Sequence, residues 1–164
     1  MESFTYRDIG EKRNALEHDA ATLLGRMLFE FGRLDMSVGL CLAWVGGGKQ
    51  LESRTRKFEE AGFNAKLEAL AADVESFMPK GSKRHSAYSN WIERAHKLRE
   101  IRNQLAHGRW GFDAANGLAI NIIGLPTSTT QIENHYTLGE LESVVENLLS
   151  LTAELNQLRD RWSI

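Results

Sequence analysis

Apolar residues recur every three or four positions along four stretches of this chain, which is the spacing of one face of an α-helix. The four stretches are 11–45, 53–78, 86–106 and 137–162. Glycine readily takes the left-handed conformation that ends a helix, so Gly46-Gly47-Gly48 predicts the end of the first helix and Gly108 the end of the third. Gly62 allows a break in the second stretch. The pattern therefore predicts four helices, or five if the second stretch is split.

The period of the pattern changes after Gly108. Residues 109–112 and 118–123 are rich in β-prone side chains, and the polar turn between them contains Asn116-Gly117, a pair that favours tight hairpins. Thr137-Leu138-Gly139-Glu140 then has the T-x-x-E form of a helix capping box. We therefore expect an all-α, up-and-down bundle of four to five helices, with a small β-hairpin insert before the last helix.

The composition is that of one globular domain, which we expect to span residues 1–164. A single cysteine, Cys41, excludes a disulfide framework or a thiolate metal site within one chain. The first eight residues lack the apolar core of a signal peptide. No apolar run reaches the ~18 residues needed to span a bilayer. These features predict a cytoplasmic protein that does not associate with membranes.

Charge is distributed unevenly along the chain. The net charge is −2, but residues 80–109 contain eight Lys and Arg against two Glu, a local charge of +6 that leaves −8 for the rest. Such asymmetry is compatible with one anion-binding face on an otherwise acidic body. A solvated helix with scattered charges would give the same pattern, so charge alone does not decide between them.

The third helix carries an arginine among its apolar residues. With about 100° of rotation per residue, Arg102 lies about 40° from Leu98, inside the apolar sector. An arginine on a packing face needs an anion or a carbonyl, because an unpaired buried charge costs several kcal/mol. Asp35 and Glu30, at the margins of the first helix's apolar stripe, are the candidate partners. An ion pair between helices, with no further function, would satisfy Arg102 equally well.

Two more polar residues follow on the same helix. Asn103 and His107 are four residues apart, so their side chains can meet on one face. His107 would lie about 140° from Arg102 if both were helical, although Gly108 permits the chain to turn just after His107. On spacing alone, His107 is equally well explained as a histidine that caps the last carbonyls of the helix.

Other site chemistries lack their motifs. The remaining histidines show no metal-binding spacing; they are His18, His85, His96 and His135. There is no nucleophile elbow and no dinucleotide-binding fingerprint, and Gly46-Gly47-Gly48 is not followed by the Lys-Ser/Thr pair of a phosphate-binding loop, since Gln50 comes after Lys49. We therefore expect neither a metal nor a cofactor.

The run Ile101-Arg102-Asn103-Gln104-Leu105-Ala106-His107-Gly108 resembles the R-x(4–6)-H signature of the HEPN superfamily, including the polar residue directly after the arginine. Its position at the end of a late bundle helix is similar too. The segment Phe31-Gly32-Arg33-Leu34-Asp35 resembles the one that supplies an acidic residue in many members. The resemblance covers residues 12–162, although its specific part is the motif itself.

This resemblance implies a metal-independent endoribonuclease of the toxin or phage-defence type, acting as a homodimer whose two motifs face each other across a cleft. His107 would transfer protons as the general acid or base, since histidine ordinarily titrates near neutral pH. Arg102 would stabilise the pentacovalent phosphorane, and Asn103 would orient His107 or the phosphate. An antitoxin or a regulatory protein would be a further partner.

The resemblance also assigns secondary roles, and it leaves an alternative open. The residues that would support the catalytic ones are Asp35, Glu30 and Arg99. The residues that would bind RNA are Lys97, Arg109, Lys83 and Arg84. Because the overall charge is slightly acidic, RNA would have to be bound through the basic region 80–109, and binding that depends on such cations should weaken steeply with salt. The alternative is a non-catalytic HEPN-like module that binds RNA, a nucleotide or a protein.

Overall fold

A computed structural model describes residues 6–164, which form five helices and three strands. In chain order these are α1 (Tyr6–Ala43), α2 (Leu51–Phe58), α3 (Phe63–Phe77), α4 (Lys83–Ala106), β1 (Arg109–Asp113), β2 (Leu118–Ile123), β3 (Ile132–Tyr136) and α5 (Leu138–Arg161). The predicted class, mostly helical with a small β insert before the last helix, is confirmed. The prediction about a signal peptide concerns in part Met1–Thr5, which lie outside the described residues. No helix of the described part is long and apolar enough to cross a membrane.

Glycines end the helices where the sequence predicts. Gly46, Gly47 and Gly48 have φ angles of 68°, 70° and 76° and follow the end of α1, and Gly62 lies in the break between α2 and α3. The start of α1 was predicted too late, because its first turns bury almost nothing: Tyr6 is 97% exposed. A helix segment without buried side chains leaves no apolar period in the sequence.

The strands form one antiparallel sheet in the order β1-β2-β3. The hairpin of β1 and β2 is the predicted one: Asp113 Oδ1 accepts the backbone N–H groups of Ala115 and Asn116, and Gly117 has a φ of 67°. The third strand was not predicted, because β3 lies at the sheet edge and has three consecutive polar residues between Ile132 and Tyr136. An edge strand of that composition resembles a loop in sequence.

The described residues form two compact units, and the boundary between them falls within α1, α4 and α5. One unit contains the described part of Met1–Leu28 together with Arg102–Glu146, so it includes the sheet and the end of α4. The other contains Phe29–Ile101 and Asn147–Ile164.

The second unit holds most of the buried apolar side chains. Its largest fully buried residues include Trp91, Tyr88, Leu34, Leu42, Leu67, Leu70, Leu148 and Leu155. Tyr88 Oη donates to the carbonyl oxygen of Trp162 at 2.9 Å, and Arg94 forms an ion pair with Glu154. Because an earlier residue of α4 meets a later residue of the C-terminal segment, α4 and α5 run antiparallel within this unit.

Two residues of the predicted apolar stripes are exposed. Ile101 is 39% exposed and Phe77 is 54% exposed. Phe77 ends α3, and the core position there is taken by the next residue, Met78, which is 4% exposed. Ile101 lines a shallow groove with Lys97 and Asn147 rather than the core. The apolar spacing correctly predicted which faces of α3 and α4 are buried, but not which residues lie at the borders of those faces.

Candidate functional site

The predicted motif occupies the last turns of α4. Leu105 is 3% exposed and anchors this end of the helix in the first unit. The backbone N–H of His107 is shared between the carbonyl oxygens of Asn103, at 3.2 Å, and Gln104, at 3.3 Å. His107 therefore closes the last turn, and its side chain is exposed.

Gly108 turns the chain from α4 into the sheet, as the sequence predicts. Its φ is 93°, a conformation that residues with a side chain rarely adopt. A Cβ atom at this position would lie 2.7 Å from the carbonyl oxygen of Ile122 on β2. The end of α4 therefore approaches the central strand more closely than any residue other than glycine would allow.

Asn121 of β2 holds the backbone of His107 from the other side. Its Nδ2 donates to the carbonyl oxygen of His107 at 2.9 Å, and the residue is 0% exposed. Within residues 6–164 its Oδ1 has no hydrogen-bond partner. Sequence reasoning missed Asn121, although a single amide inside the apolar run 118–123 is a signal that a buried partner is needed.

Arg102 and Asn103 contact each other directly. Arg102 Nη1 donates to Asn103 Oδ1 at 2.8 Å, and both side chains are half-buried. Two of the three predicted catalytic residues are thus joined by a hydrogen bond, with His107 following one turn later. The predicted role of Asn103 in orienting His107 or a phosphate stays a prediction, because the contact found for its oxygen is with Arg102.

An aromatic pair that the sequence analysis did not single out adjoins the motif. Gln104 Nε2 donates to Tyr136 Oη at 2.9 Å, which links the last turns of α4 to β3. The rings of Tyr136 and Trp110 lie 6.1 Å apart between centroids, at an interplanar angle of 46°. Burial raises the pKa of Tyr136. The hydroxyl therefore stays protonated at neutral pH and is able to donate a hydrogen bond as well as accept one.

The two predicted acidic supports belong to the second unit, where both have partners. Lys66 Nζ donates to both carboxylate oxygens of Asp35, at 2.9 and 2.8 Å, and the lysine side chain is only 6% exposed. Glu30 accepts from Arg33 at 2.5 Å. Lys66 was not predicted, because a charged residue within the apolar stripe of α3 looks in sequence like a surface position. The role of Asp35 and Glu30 toward Arg102 stays a prediction.

Arg99, the third predicted support, is half-buried in the second unit. Its Nε is buried and has no hydrogen-bond partner within residues 6–164. Its Nη2 lies 3.7 Å from Glu100 Oε1, which is the next residue on the same helix. Its guanidinium is therefore only weakly engaged by the described residues.

The four predicted RNA-binding cations differ in how far they are engaged. Arg109 donates to the carbonyl oxygen of Gly124 at 2.7 Å and also to Gln131, so it fastens the loop between β2 and β3. Lys97 donates to Glu93 at 2.7 Å on the exposed face of α4. This hydrogen bond lowers the pKa of Glu93. Lys83 and Arg84 occupy the first turn of α4, which contains no acidic residue.

The described residues also include a cavity of about 420 Å³ in the second unit. It is lined by Cys41, Trp44, Asn156, Arg159, Asp160, Ser163 and Ile164. Burial raises the pKa of the Cys41 thiol to about 11, so this cysteine is protonated at neutral pH and is not an activated nucleophile. Among residues 6–164 no group of three His, Cys, Asp or Glu is arranged to hold a metal ion.

The three predicted catalytic residues, Arg102, Asn103 and His107, thus all lie at the end of α4. It combines an exposed histidine side chain on a fixed backbone, a half-buried arginine, and two amides bound to neighbouring groups. No protein-family model, no curated protein and no solved structure matches this chain.

Proposed function

We propose that this chain is a metal-independent endoribonuclease of the HEPN type, with an up-and-down helical bundle as its fold and a homodimer as its active form. The observation that carries the proposal is the placement of His107. Its side chain is exposed while its backbone is held by Asn121 on one side and turned by Gly108 on the other. A proton-transferring group needs both accessibility and a fixed position.

In the proposed reaction His107 removes the proton of a ribose 2′-hydroxyl. The 2′-oxygen then attacks the adjacent phosphorus, and the bond from phosphorus to the 5′-oxygen breaks. The departing 5′-oxygen takes a proton from the equivalent histidine of a second copy of the chain. The products are one RNA end with a 2′,3′-cyclic phosphate and one with a free 5′-hydroxyl.

Arg102 has the complementary role of stabilising charge on the pentacovalent phosphorane. An arginine offers five N–H donors in a planar fork, which suits the oxygens of a phosphate. Asn103 accepts from Nη1 of this fork and fixes its direction. Arg102 is proposed to donate to the phosphate in the transition state, where donors aimed at developing charge contribute most.

RNA binding outside the motif is assigned to Lys83, Arg84 and Lys97. All three lie on α4, the helix that ends at the motif. Arg109 follows the motif directly and keeps its predicted part in RNA binding, in addition to its hydrogen bonds with Gly124 and Gln131 in the loop between β2 and β3. A cytoplasmic toxin or phage-defence effector, controlled by an antitoxin or a regulatory protein, is the biological setting that the proposal implies.

A non-catalytic RNA-binding module is the second candidate, and one observation favours it. The guanidinium of Arg102 already donates to Asn103, and Arg109 is committed to the β2–β3 loop. Contacts of this kind hold the two arginines in place without requiring that they take part in a reaction. The two candidates differ in a single property, which is turnover.

Cleavage of a single-stranded RNA in the presence of EDTA tests the proposal. The wild type, Arg102→Ala and His107→Ala would be compared at equal concentration, with His135→Ala as the control because His135 is an exposed histidine on the neighbouring strand β3. We expect cleavage by the wild type and by the control, and none by the two motif variants. Equal activity of His107→Ala and the wild type would refute the assignment.

A further inference from the structure

Two aromatic rings converge over the middle strand of the sheet. Side chains of directly opposed residues in neighbouring antiparallel strands point to the same face. Because Trp110 pairs with Asn121, and Ala119 pairs with Tyr136, all four residues lie on one face. Ala119 is fully buried, and the ring centroids of Trp110 and Tyr136 lie 6.1 Å apart on this face.

This face is also the one that adjoins the end of α4. Tyr136 Oη accepts from Gln104, and Asn121 donates to the carbonyl oxygen of His107. Both links are made by residues of the first unit. The aromatic pair therefore has a fixed position beside the motif.

The surface beside the aromatic pair has the properties of a site for a planar polar group. Both rings are only half-buried, so part of each remains accessible. Asn134 of β3 pairs with Asn121 and shares the same face; it is half-buried, and within residues 6–164 its side chain has no hydrogen-bond partner. An amide offers two donors and one acceptor in a plane, which matches the edge of a nucleobase.

We propose that Trp110 and Tyr136 receive one unstacked nucleobase of a single-stranded RNA, with Asn134 hydrogen-bonded to the edge of that base. The inference builds on the proposed function, because it places this nucleotide next to the phosphate bound at Arg102 and His107. Stacking on aromatic side chains accepts any base, whereas bases inside a duplex are already stacked and are not available. The substrate class is therefore single-stranded or looped RNA.

Binding to a full-length chain that cannot cleave tests this inference. His107→Ala serves as the parent, and the probes are a fluorophore-labelled single-stranded oligoribonucleotide and a duplex of the same sequence, titrated by fluorescence anisotropy. Trp110→Leu and Tyr136→Leu are added to the parent. Trp44→Leu is the matched control, since Trp44 is a half-exposed tryptophan of the other unit.

We expect the dissociation constant for the single strand to rise about fivefold or more in the Trp110 and Tyr136 variants, and to stay within about twofold in the control. The duplex is expected to bind more weakly than the single strand. Unchanged affinity in both variants, or a duplex that binds as tightly as the single strand, would overturn the inference.

Two further measurements keep the inference testable if Trp110→Leu does not fold. Crosslinking of a 4-thiouridine oligonucleotide to the parent chain, mapped by mass spectrometry, should label Trp110 or Tyr136; labelling confined to other residues contradicts the proposal. Cleavage by the wild type separates the two claims. RNA binding that depends on Trp110 and Tyr136, without any cleavage by the wild type, would retain the base site and reject the ribonuclease. RNA cleavage and binding that do not change when Trp110 or Tyr136 is replaced would retain the ribonuclease and reject the base site.

Discussion

Asn121, on the central strand of the sheet, donates a hydrogen bond of 2.9 Å from its amide nitrogen to the carbonyl oxygen of His107. The amide is completely buried, while the histidine side chain that it positions is exposed. A buried group thus fixes the backbone of an accessible one. The sheet, which looks like an insertion in the sequence, is therefore part of the candidate site.

Asn121→Ala removes this hydrogen bond and leaves the carbonyl of His107 without its partner. Loss of one partner of a buried hydrogen bond typically costs about 1–3 kcal/mol, so we expect a drop of that size in the free energy of unfolding, measured by urea denaturation. Asn134→Ala is the control, because Asn134 lies directly opposite on β3 and has no side-chain hydrogen bond within residues 6–164. Equal stability of the two variants would show that the contact with His107 contributes nothing.

Gly108→Ala should be destabilising for a different reason. Alanine would have to adopt a φ of 93° and place its Cβ 2.7 Å from the carbonyl oxygen of Ile122. A residue forced into such a conformation costs about 1–3 kcal/mol before the clash is counted, and the thermal midpoint should fall accordingly.

Gly25→Ala provides the comparison for Gly108→Ala. Gly25 lies inside α1, and a Cβ there would meet no atom within 4 Å. Alanine in a helix interior is favoured over glycine by roughly 0.5–1 kcal/mol, so this variant should gain stability. A loss of similar size in both variants would contradict the special role given to Gly108.

Local signals in the sequence predicted the helix ends and the first hairpin because they depend on few residues. The capping box predicted at the start of α5 is present: Glu140 N–H donates to Thr137 Oγ1 at 3.1 Å, and Thr137 N–H donates to Glu140 Oε2 at 2.7 Å. The turn predicted at Asn116-Gly117 is also present, with Gly117 at a positive φ. Each of these features is determined by atoms within four residues of one another.

Features that depend on distant partners were not predictable in this way. Lys66 is buried because Asp35, 31 residues away, accepts its hydrogen bonds. Strand β3 forms because β2 offers an edge, although its own residues are mostly polar. The motif was found from a short pattern, but the contact of Asn121 with it, from 14 residues further along, has no counterpart in the spacing of the sequence.

Thr137→Ala tests the capping box of α5. An N-cap side chain satisfies a backbone N–H that the helix leaves unpaired, and its removal typically costs about 1 kcal/mol. We expect the thermal midpoint to fall by a corresponding amount. Ser143→Ala is the control, because Ser143 Oγ donates only to the carbonyl oxygen of Gly139, within the same helix. A fall in the thermal midpoint no larger than that of the control would show that the capping box does not stabilise the protein.

The buried thiol of Cys41 predicts how stability depends on alkaline pH. Burial raises its pKa from 9.0 to about 11. Since the unfolded chain loses this proton near pH 9 and the folded chain does so only near pH 11, the thiol's contribution is complete below pH 9 and is lost as the pH rises to about 11. The stability difference between the wild type and Cys41→Ala should therefore shrink over this interval and stay constant from pH 6 to 8. A difference that does not change between pH 9 and 11 would show that the thiol titrates alike in both states.

The most direct test of the central claim is the chemical nature of the RNA ends produced in EDTA. The proposed mechanism predicts 2′,3′-cyclic phosphate and 5′-hydroxyl ends from the wild type, no product from His107→Ala, and no cut at a nucleotide whose 2′-hydroxyl is replaced by hydrogen. Cleavage that requires a divalent metal, that survives in His107→Ala, or that proceeds at the 2′-deoxy position would contradict it. The absence of any cleavage by a folded wild-type chain would leave RNA binding as the function of this motif.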